Sequence, residues 1–501
     1  MVSSNRGDVE RKAMVSDTDN TSPYPSEMLP EERTNLDRKL LLKLDFLLVP
    51  MMGMLYLLSF LDRANIGNAR VKNAKQNISL NWRNGFPSAN SRIAITVTYV
   101  PYIVTELPSN LLIKKIGPRI LLPALCVCWG IVTTLQSQVN NYSGLIAARF
   151  FLGMLEGGLF PGIVLYLSSF YRRHELQMRV GLFFSAAALS GAFSGLLAAA
   201  IQNMEGLRGL RGWQWIFLLE GLFTVLFGIF SFLILPNDPS QVFLFSPEEV
   251  EQCTRRLAQD TNLPDNETVT LNRVLSAFKD PHILNLCAIL FCSGINLYGL
   301  SYFTPSIVQA LGYSPTKTQL LTVPPFACAF VATMIAAYFA DRYKQRGITS
   351  ICTSTIALVG AGLGLKGRSI ASRYASIFLL VTGIYATAPS FISWMTNNTS
   401  GHVRRATAIA MAFVSTNSGG IVSTWIYPRK DTPYYVFAAK FNLAVLVITI
   451  VLCGVQVWWL MTLNRRKKEK PDEVLGDVAG MGLEVQLDRL GDRHPEYRYT
   501  Y

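Results

Sequence analysis

Six ionisable residues lie inside stretches that are otherwise apolar: Asp62, Arg63, Glu106, Arg149, Glu156 and Glu220. A charged residue at the centre of a membrane helix costs roughly 2.5–3.5 kcal/mol, so facing lipid these six would together cost on the order of 10 kcal/mol. They are expected instead to face one another or a water-filled cavity. The sharpest pattern is "ARFFLGMLEGGLFPGIVLY", where Arg149 and Glu156 stand seven residues apart. That spacing is two helical turns, which points both side chains the same way. Gly153, Gly157 and Gly158 permit close helix approach beside them, and Pro161 can bend the helix just beyond. A blander reading has Arg149 reaching to the interface and Glu156 bonding a neighbouring helix. In "SFLDRANIGNAR", Asp62 and Arg63 end an apolar run, either as an interfacial pair or as part of a polar cavity.

Two arginines and two carboxylates in one cavity suit a proton-coupled anion carrier. A guanidinium binds a carboxylate bidentately and keeps its charge. Burial disfavours the ionised form of a carboxyl group, so such a group can take a proton near neutral pH. Proton and anion binding then reinforce each other through charge balance. Neutral polar side chains recur on the apolar stretches: Tyr99 and Tyr102, then Asn296, Tyr298 and Tyr302, then Ser415, Thr416, Asn417 and Ser418. They either line the cavity or make interhelical hydrogen bonds, worth about 0.6 kcal/mol on average. Glu106, next to Pro108, reads as a helix tether or a gate, and Glu220, after two tryptophans, as a packing group.

The elements that must position these groups are apolar windows of about 20 residues, enough for a helix to cross a ~30 Å hydrocarbon layer. Twelve such windows are expected: 44–64, 93–113, 120–138, 143–167, 180–201, 213–235, 283–305, 318–340, 348–366, 374–395, 406–426 and 437–461. Half of the 501 residues are hydrophobic and only 16% are charged, against about 25% for a soluble chain. The fold class is therefore an all-α membrane protein of twelve transmembrane helices in two six-helix halves. Its expected segments are a tail at 1–43, a first half at 44–235, a central loop at 236–282, a second half at 283–461 and a tail at 462–501. Within the central loop, "SPEEVEQCTRRLAQD" reads as a short helix capped by Ser246 with Pro247 at its first position. A six-plus-six layout with one long loop is the plan of secondary transporters, whose substrate site lies between the halves near the midplane.

The net charge of +13 is explained by placement. Basic residues gather at alternate boundaries, from Arg38, Lys39 and Lys43 to "RRKKEK" at 465–470, which puts both termini in the cytoplasm. Nucleic-acid binding is excluded on that distribution. No cleaved signal peptide is apparent, and the eight cysteines read as packing residues. Asn77, in "NIS", is a possible glycosylation site on the predicted outside. There is no H-E-x-x-H, G-x-S-x-G or P-loop, so an enzyme is not expected, nor any metal or cofactor. "NLLIKKIGPR" (110–119) and "AAYFADRYKQRG" (336–347) echo each other as basic turns, the second carrying Asp341 and Arg342.

At "LDRANIGNA", "PYIVTELPSNLLIKKIGPR", "RFFLGMLEGGLFPGIVLYLSSFYRRHE" and "HVRRATAIAMAFVSTNSGGIVSTWIYP" the chain resembles the anion:cation symporter family of the major facilitator superfamily. It is most similar to the fungal branch of allantoate-permease-like and nicotinate-permease-like transporters, over residues of about 40–460. The resemblance implies proton-driven uptake of a small organic anion by alternating access. It implies proton handling by Asp62 and Glu156, anchoring of a substrate carboxylate by Arg63 and Arg149, and a substrate contact at Tyr102. Asn296, Tyr298 and Asn417 complete the expected substrate set, with Glu106, Glu220, Asp341 and Arg342 in gating or structural roles. Two departures stand out. Lys114 replaces the superfamily's acidic residue after the second span, whereas Asp341 keeps its counterpart. The stretch before the second span has no acid between Ala64 and Thr105 and gathers Arg70, Lys72, Lys75, Arg83 and Arg92. It reads either as an electrostatic funnel for anions or as a gene-model error within 77–92, the latter being preferred.

The leading expectation is thus a monomeric plasma-membrane symporter of protons and an organic carboxylate. Nicotinate comes first, followed by allantoate, pantothenate or tartrate. A non-transporting nutrient sensor and an uncoupled anion facilitator of the same fold are the alternatives.

Overall fold

The computed structural model describes residues 30–73, 88–201, 204–260, 271–343, 345–367, 369–427, 431, 434–478, 480–481, 486 and 490–501. Asn77 and most of the stretch 77–92 lie outside these residues, as do the side chains of Asp341 and Lys114. The chain is all-α. It runs through α1 (Pro30–Asn73), α2 (Ser88–Ile116), α3 (Pro118–Gln136), α4 (Tyr142–Glu156), α5 (Leu159–Ser168), α6 (Arg173–Ile201) and α7 (Gly212–Ile234). Two short helices, α8 (Pro247–Asp260) and α9 (Leu271–Phe278), lead to a second series. That series is α10 (Pro281–Gln309), α11 (Pro315–Tyr343), α12 (Arg346–Lys366), α13 (Ile370–Asn397), α14 (His402–Ser423), α15 (Val436–Glu469) and the short α16 (Pro471–Leu475).

Among the described residues, ten helices are long and apolar enough to cross a membrane, not the expected twelve. The two shortfalls have a physical cause. In α2, Glu106, Pro108 and Asn110 lower the hydropathy of the window, and the apolar stretch among the described residues is Ile93–Glu106. Arg404 and Arg405 open α14, and a run of hydroxyl and amide residues follows in its interior. Both expected windows are helical, but each gives up hydropathy to polar residues. The window 143–167 is one span built of two helices, α4 and α5. Pro161 has no N–H to meet the carbonyl of Gly157, so the helix breaks there.

Glycines set the closest crossings. A Cβ on Gly153 would lie 2.0 Å from the Thr98 carbonyl oxygen, and one on Gly157 would lie 2.5 Å from that of Tyr102. The helix α4 therefore rests directly on the backbone of α2, as the sequence spacing predicts. In the second series, Gly294 and Gly419 play the same part where α10 crosses α14, each meeting a carbonyl oxygen of the other helix (Thr416 and Phe291). Side-chain clashes at the crossing would push the helices apart, and small residues are how membrane helices pack without a hydrophobic driving force.

The central helix forms as its sequence predicts. Ser246 and Glu249 make reciprocal backbone hydrogen bonds at 3.3 and 2.9 Å, a capping box. It docks beneath α1 and α6 through ions: Lys43 Nζ to Glu249 at 2.7 Å, and the buried Arg256 to Glu175 at 2.5 Å and to Asp37 at 3.2 Å. At the opposite end of the first series, Gly191 and Gly195 on α6 pack against Phe326 and Thr322 of α11, and Thr96 bonds Thr424 at 3.0 Å. The two series therefore meet tightly at the ends remote from α8.

Candidate functional site

The first site helix is α1, which carries Asp62, Arg63 and Asn65 within one turn of the seam. All three side chains are buried, at 1%, 5% and 0% exposure. Arg63 does not pair with its neighbour Asp62. Successive residues diverge by about 100° around a helix, so the two side chains leave α1 in different directions. Arg63 Nε instead donates to Glu156 Oε2 at 2.8 Å, with Glu156 at 0% exposure. Its guanidinium lies over the rings of Tyr102 at 4.7 Å and Phe60 at 5.3 Å. Its Nη1 reaches Tyr298 Oη on α10 at 3.5 Å, and that hydroxyl donates to Asn417 Oδ1 on α14 at 2.9 Å. A single chain of contacts thus runs Glu156–Arg63–Tyr298–Asn417, joining α4 and α1 of the first series to α10 and α14 of the second.

Around this chain the walls are aromatic. Tyr99 and Tyr302 share a hydrogen bond at 2.8 Å across the seam. Tyr99 meets Tyr298 edge to face at 5.2 Å, and Phe60 stacks on Tyr298 at 6.3 Å. Gly420 allows this close packing, since a Cβ there would come within 2.7 Å of the Tyr99 ring. A buried guanidinium held by one carboxylate and roofed by aromatic rings can accept a flat anion by exchanging carboxylates.

Arg149 and Glu156 are both buried, as their spacing predicts, but they do not form an ion pair. Arg149 instead lies over the Phe217 ring at 5.6 Å, and its Nε and Nη2 have no hydrogen-bond partner. Seven residues on a straight helix bring side chains onto one face, not into contact, because the two residues stand about 10 Å apart along the axis. Asp62 faces α3, where Trp129 and Thr133 are its nearest donors, though neither carboxylate oxygen receives a hydrogen bond of full geometry. Glu220 accepts a hydrogen bond from Asn65 Nδ2.

Three expected residues stand apart. Asn296 is two residues before Tyr298 on α10 and so points to the other side of the helix. It lines a separate small pocket of mixed character with Ser293, Thr387 and Thr449 beside Ile384, Phe391 and Leu446, and donates only to the Cys292 carbonyl. Glu106 is buried one turn beyond Tyr102, and its Oε2 lacks a partner. Arg342 is exposed at the end of α11. The sequence reading also passed over Phe60, Asn65, Trp129 and Thr133. Only Asn65 carried a signal, its i+3 spacing from Asp62.

A family model described as the Major Facilitator Superfamily matches residues 52–424. An uncharacterized transporter of Schizosaccharomyces pombe is 32% identical over 464 residues, covering 93% of this chain and 90% of its own. The high-affinity nicotinic acid transporter of Saccharomyces cerevisiae is 30% identical over 495 residues, covering 98% and 89%. Among solved structures, the D-xylose-proton symporter superposes with a TM-score of 0.63 at 15% identity, covering 81% of this chain and 97% of its own. An inward-facing bacterial homolog of the human lysosomal transporter Spinster gives 0.61 at 12%, covering 82% and 94%. At these identities the two structures speak for the fold alone.

Proposed function

The chain belongs to the Major Facilitator Superfamily, whose members are transport proteins and not enzymes, and from that premise we propose that it carries a small organic carboxylate together with protons. The proposed layout is two six-helix halves, α1–α7 and α10–α15, rocking about the seam, with both termini in the cytoplasm of a monomer in the plasma membrane. The single observation that carries the reading is the 2.8 Å pair between Arg63 and Glu156, both buried where the two helix series meet.

In that pair Glu156 occupies the position a substrate carboxylate would take. While Glu156 is ionised it satisfies Arg63 and competes with the anion. A proton on Glu156 removes one negative charge from the guanidinium, and a substrate carboxylate restores it. Proton and anion therefore bind as a neutral unit, and neither is favoured alone. Tyr298 and Asn417 report occupancy to α10 and α14, because Tyr298 Oη lies next to the Arg63 guanidinium.

Tyr102 and Phe60 over the guanidinium, with Tyr99, Tyr298 and Tyr302 close by, suit a flat aromatic acid. Similarity to the nicotinic acid transporter of Saccharomyces cerevisiae points the same way, so nicotinate is the first substrate to try. Allantoate, pantothenate and tartrate follow. The test is uptake of radiolabelled carboxylates at pH 5 and pH 7.5, with and without a protonophore. Faster uptake at pH 5 that collapses with the protonophore is expected. Uptake indifferent to both would leave an uncoupled facilitator and overturn the symport reading.

A further inference from the structure

Behind Arg63, α1 turns a second set of polar side chains toward α3, α4 and α7. Neither carboxylate oxygen of Asp62 receives a hydrogen bond of full geometry. Asn65, three residues on and so on the same side of the helix, donates Nδ2 to Glu220 Oε2. Asn65 Oδ1 and Glu220 Oε1 remain unpartnered. Trp129 and Thr133 face Asp62 from α3 as its nearest donors, and Arg149 brings Nε and Nη2 from α4 without a hydrogen-bond partner. All of these side chains are at least nine-tenths buried. Buried polar atoms are almost always hydrogen-bonded, so such atoms gathered from α1, α4 and α7 mark a place built to exchange protons or water.

Charge balance narrows the role. The Arg63–Glu156 pair is neutral by itself. The rear cluster then holds one cation, Arg149, and two carboxyl groups, Asp62 and Glu220, which act on each other electrostatically. It is neutral when Asp62 and Glu220 share one proton between them. Glu156 also acts on Asp62 and on Arg149, so the cluster is coupled to the substrate-side pair, and Tyr302 faces Arg149 from α10. Of the titratable groups on α3, Cys126 is the one near Asp62, bonded to the Thr224 carbonyl at 3.5 Å, while Cys128 is exposed and Arg119 lies at the start of the helix; α6 carries no ionisable side chain between Val180 and Ile201.

We propose that Glu220, oriented by Asn65, is a second proton-exchanging carboxyl group that works in tandem with Asp62 on the side of α1 away from the substrate. Asn65 engages Oε2 and leaves Oε1 as the oxygen that takes the proton. Transfer from Glu220 Oε1 to the Asp62 carboxylate, directly or through one water, leaves Glu220 ionised and Asp62 neutral, with no net change in charge. The proton thereby approaches Arg149 and Glu156 without crossing the anion. This inference rests on the proton-coupled reading above.

The experiment uses the full chain reconstituted in liposomes, with two readouts. Infrared difference spectroscopy across a pH titration detects protonated carboxyl groups independently of transport. Glu220→Gln is expected to remove one carboxyl signal and to shift the one assigned to Asp62, leaving those of Glu106 and Glu156 in place. Concentrative nicotinate uptake is expected to fall about tenfold, with its pH profile displaced, while counterflow exchange is kept. Glu220→Asp should restore the profile, and Asn65→Ala should displace it without loss of the signal. An unchanged titration and pH profile in Glu220→Gln would overturn the proposal. If wild-type uptake ignores pH while the shared-proton signal is present, the symport reading fails and the carboxyl pair stands. Should Glu220→Gln fail to fold, Asn65→Ala and Glu220→Asp decide on the same two readouts.

Discussion

Glu156 holds Arg63 at 2.8 Å across two helices, although along its own helix it is phased with Arg149. The partner that matters chemically comes from α1, and it also touches Tyr298 of the second helix series. The ion pair is thus both the lock on the guanidinium and one of the points at which the two series meet.

Removing either member of the pair has different consequences. Glu156→Gln should abolish concentrative uptake while retaining exchange, because the neutral amide cannot release a proton yet still leaves Arg63 free to bind anion. Arg63→Ala should eliminate transport or raise KM severely, and should cost about 3–5 kcal/mol of stability, since it strands a buried carboxylate. Replacing both by apolar residues should cost far less than the sum of the single changes. Thermal unfolding in detergent, together with uptake and counterflow, checks all three. Normal uptake by either single variant removes that residue from the mechanism.

The glycine crossing offers a prediction free of any assumption about substrate. Gly153→Ala places a methyl group 2.0 Å from the Thr98 carbonyl oxygen, which is backbone and cannot swing away. The helices α2 and α4 must part, and a loss of several degrees in Tm is expected, with Tyr102 displaced from Arg63. Gly181→Ala is the control: nothing lies within 4 Å of its Cβ position, so the change should be neutral or stabilise by about 1 kcal/mol through helix propensity. Equal Tm values for the two variants would refute the close approach.

How much of this was legible in the sequence follows from what each residue depends on. Apolar windows depend on local composition, so the helices are readable, and so is the break at Pro161. The burial of Asp62, Arg63, Glu156 and Glu220 follows from the cost of charge in lipid, and it too is readable. Partner choice depends on which helices are neighbours. That is why Arg63 could be seen as a cavity residue while its link to Glu156 could not. Asn296 and Tyr298 differ only by two positions of helical phase, and without knowing which side of α10 meets the seam the sequence could not separate them.

The segment after α15 is held by two asparagine side chains that grip consecutive backbone units. Asn464 donates to the Tyr499 carbonyl at 2.8 Å and accepts its N–H at 3.0 Å; Asn398 does the same for Thr500 at 2.7 and 2.8 Å. Trp394 adds a hydrogen bond to Thr500, and Lys467 bonds the Asp492 carbonyl. Each amide satisfies one donor and one acceptor, so truncating it leaves both unmet, at roughly 1–3 kcal/mol. The double variant Asn398→Ala/Asn464→Ala should release residues 491–501 to limited proteolysis while the helices stay intact. A protease pattern unchanged from wild type would show that these two amides do not hold the segment.

Acid should loosen another contact outside the spans, the docking of α8. At Glu249 burial works against ionisation, but the hydrogen bond from Lys43 and the Ser246 N–H outweigh it and hold the carboxyl group below its ordinary 4.5. A folded-state pKa below the unfolded one contributes stability that is present above about pH 4.5 and is lost as pH falls through the folded value. Because Lys43 is 40% exposed, solvent screening limits the effect to about 1 kcal/mol or less. Glu249→Gln should therefore reduce hydrogen-exchange protection of Pro247–Asp260 near pH 7, and the wild type should converge on the variant near pH 3. A difference between the two that persists unchanged in acid would mean that α8 is held there by the Arg256 ion pairs and packing alone.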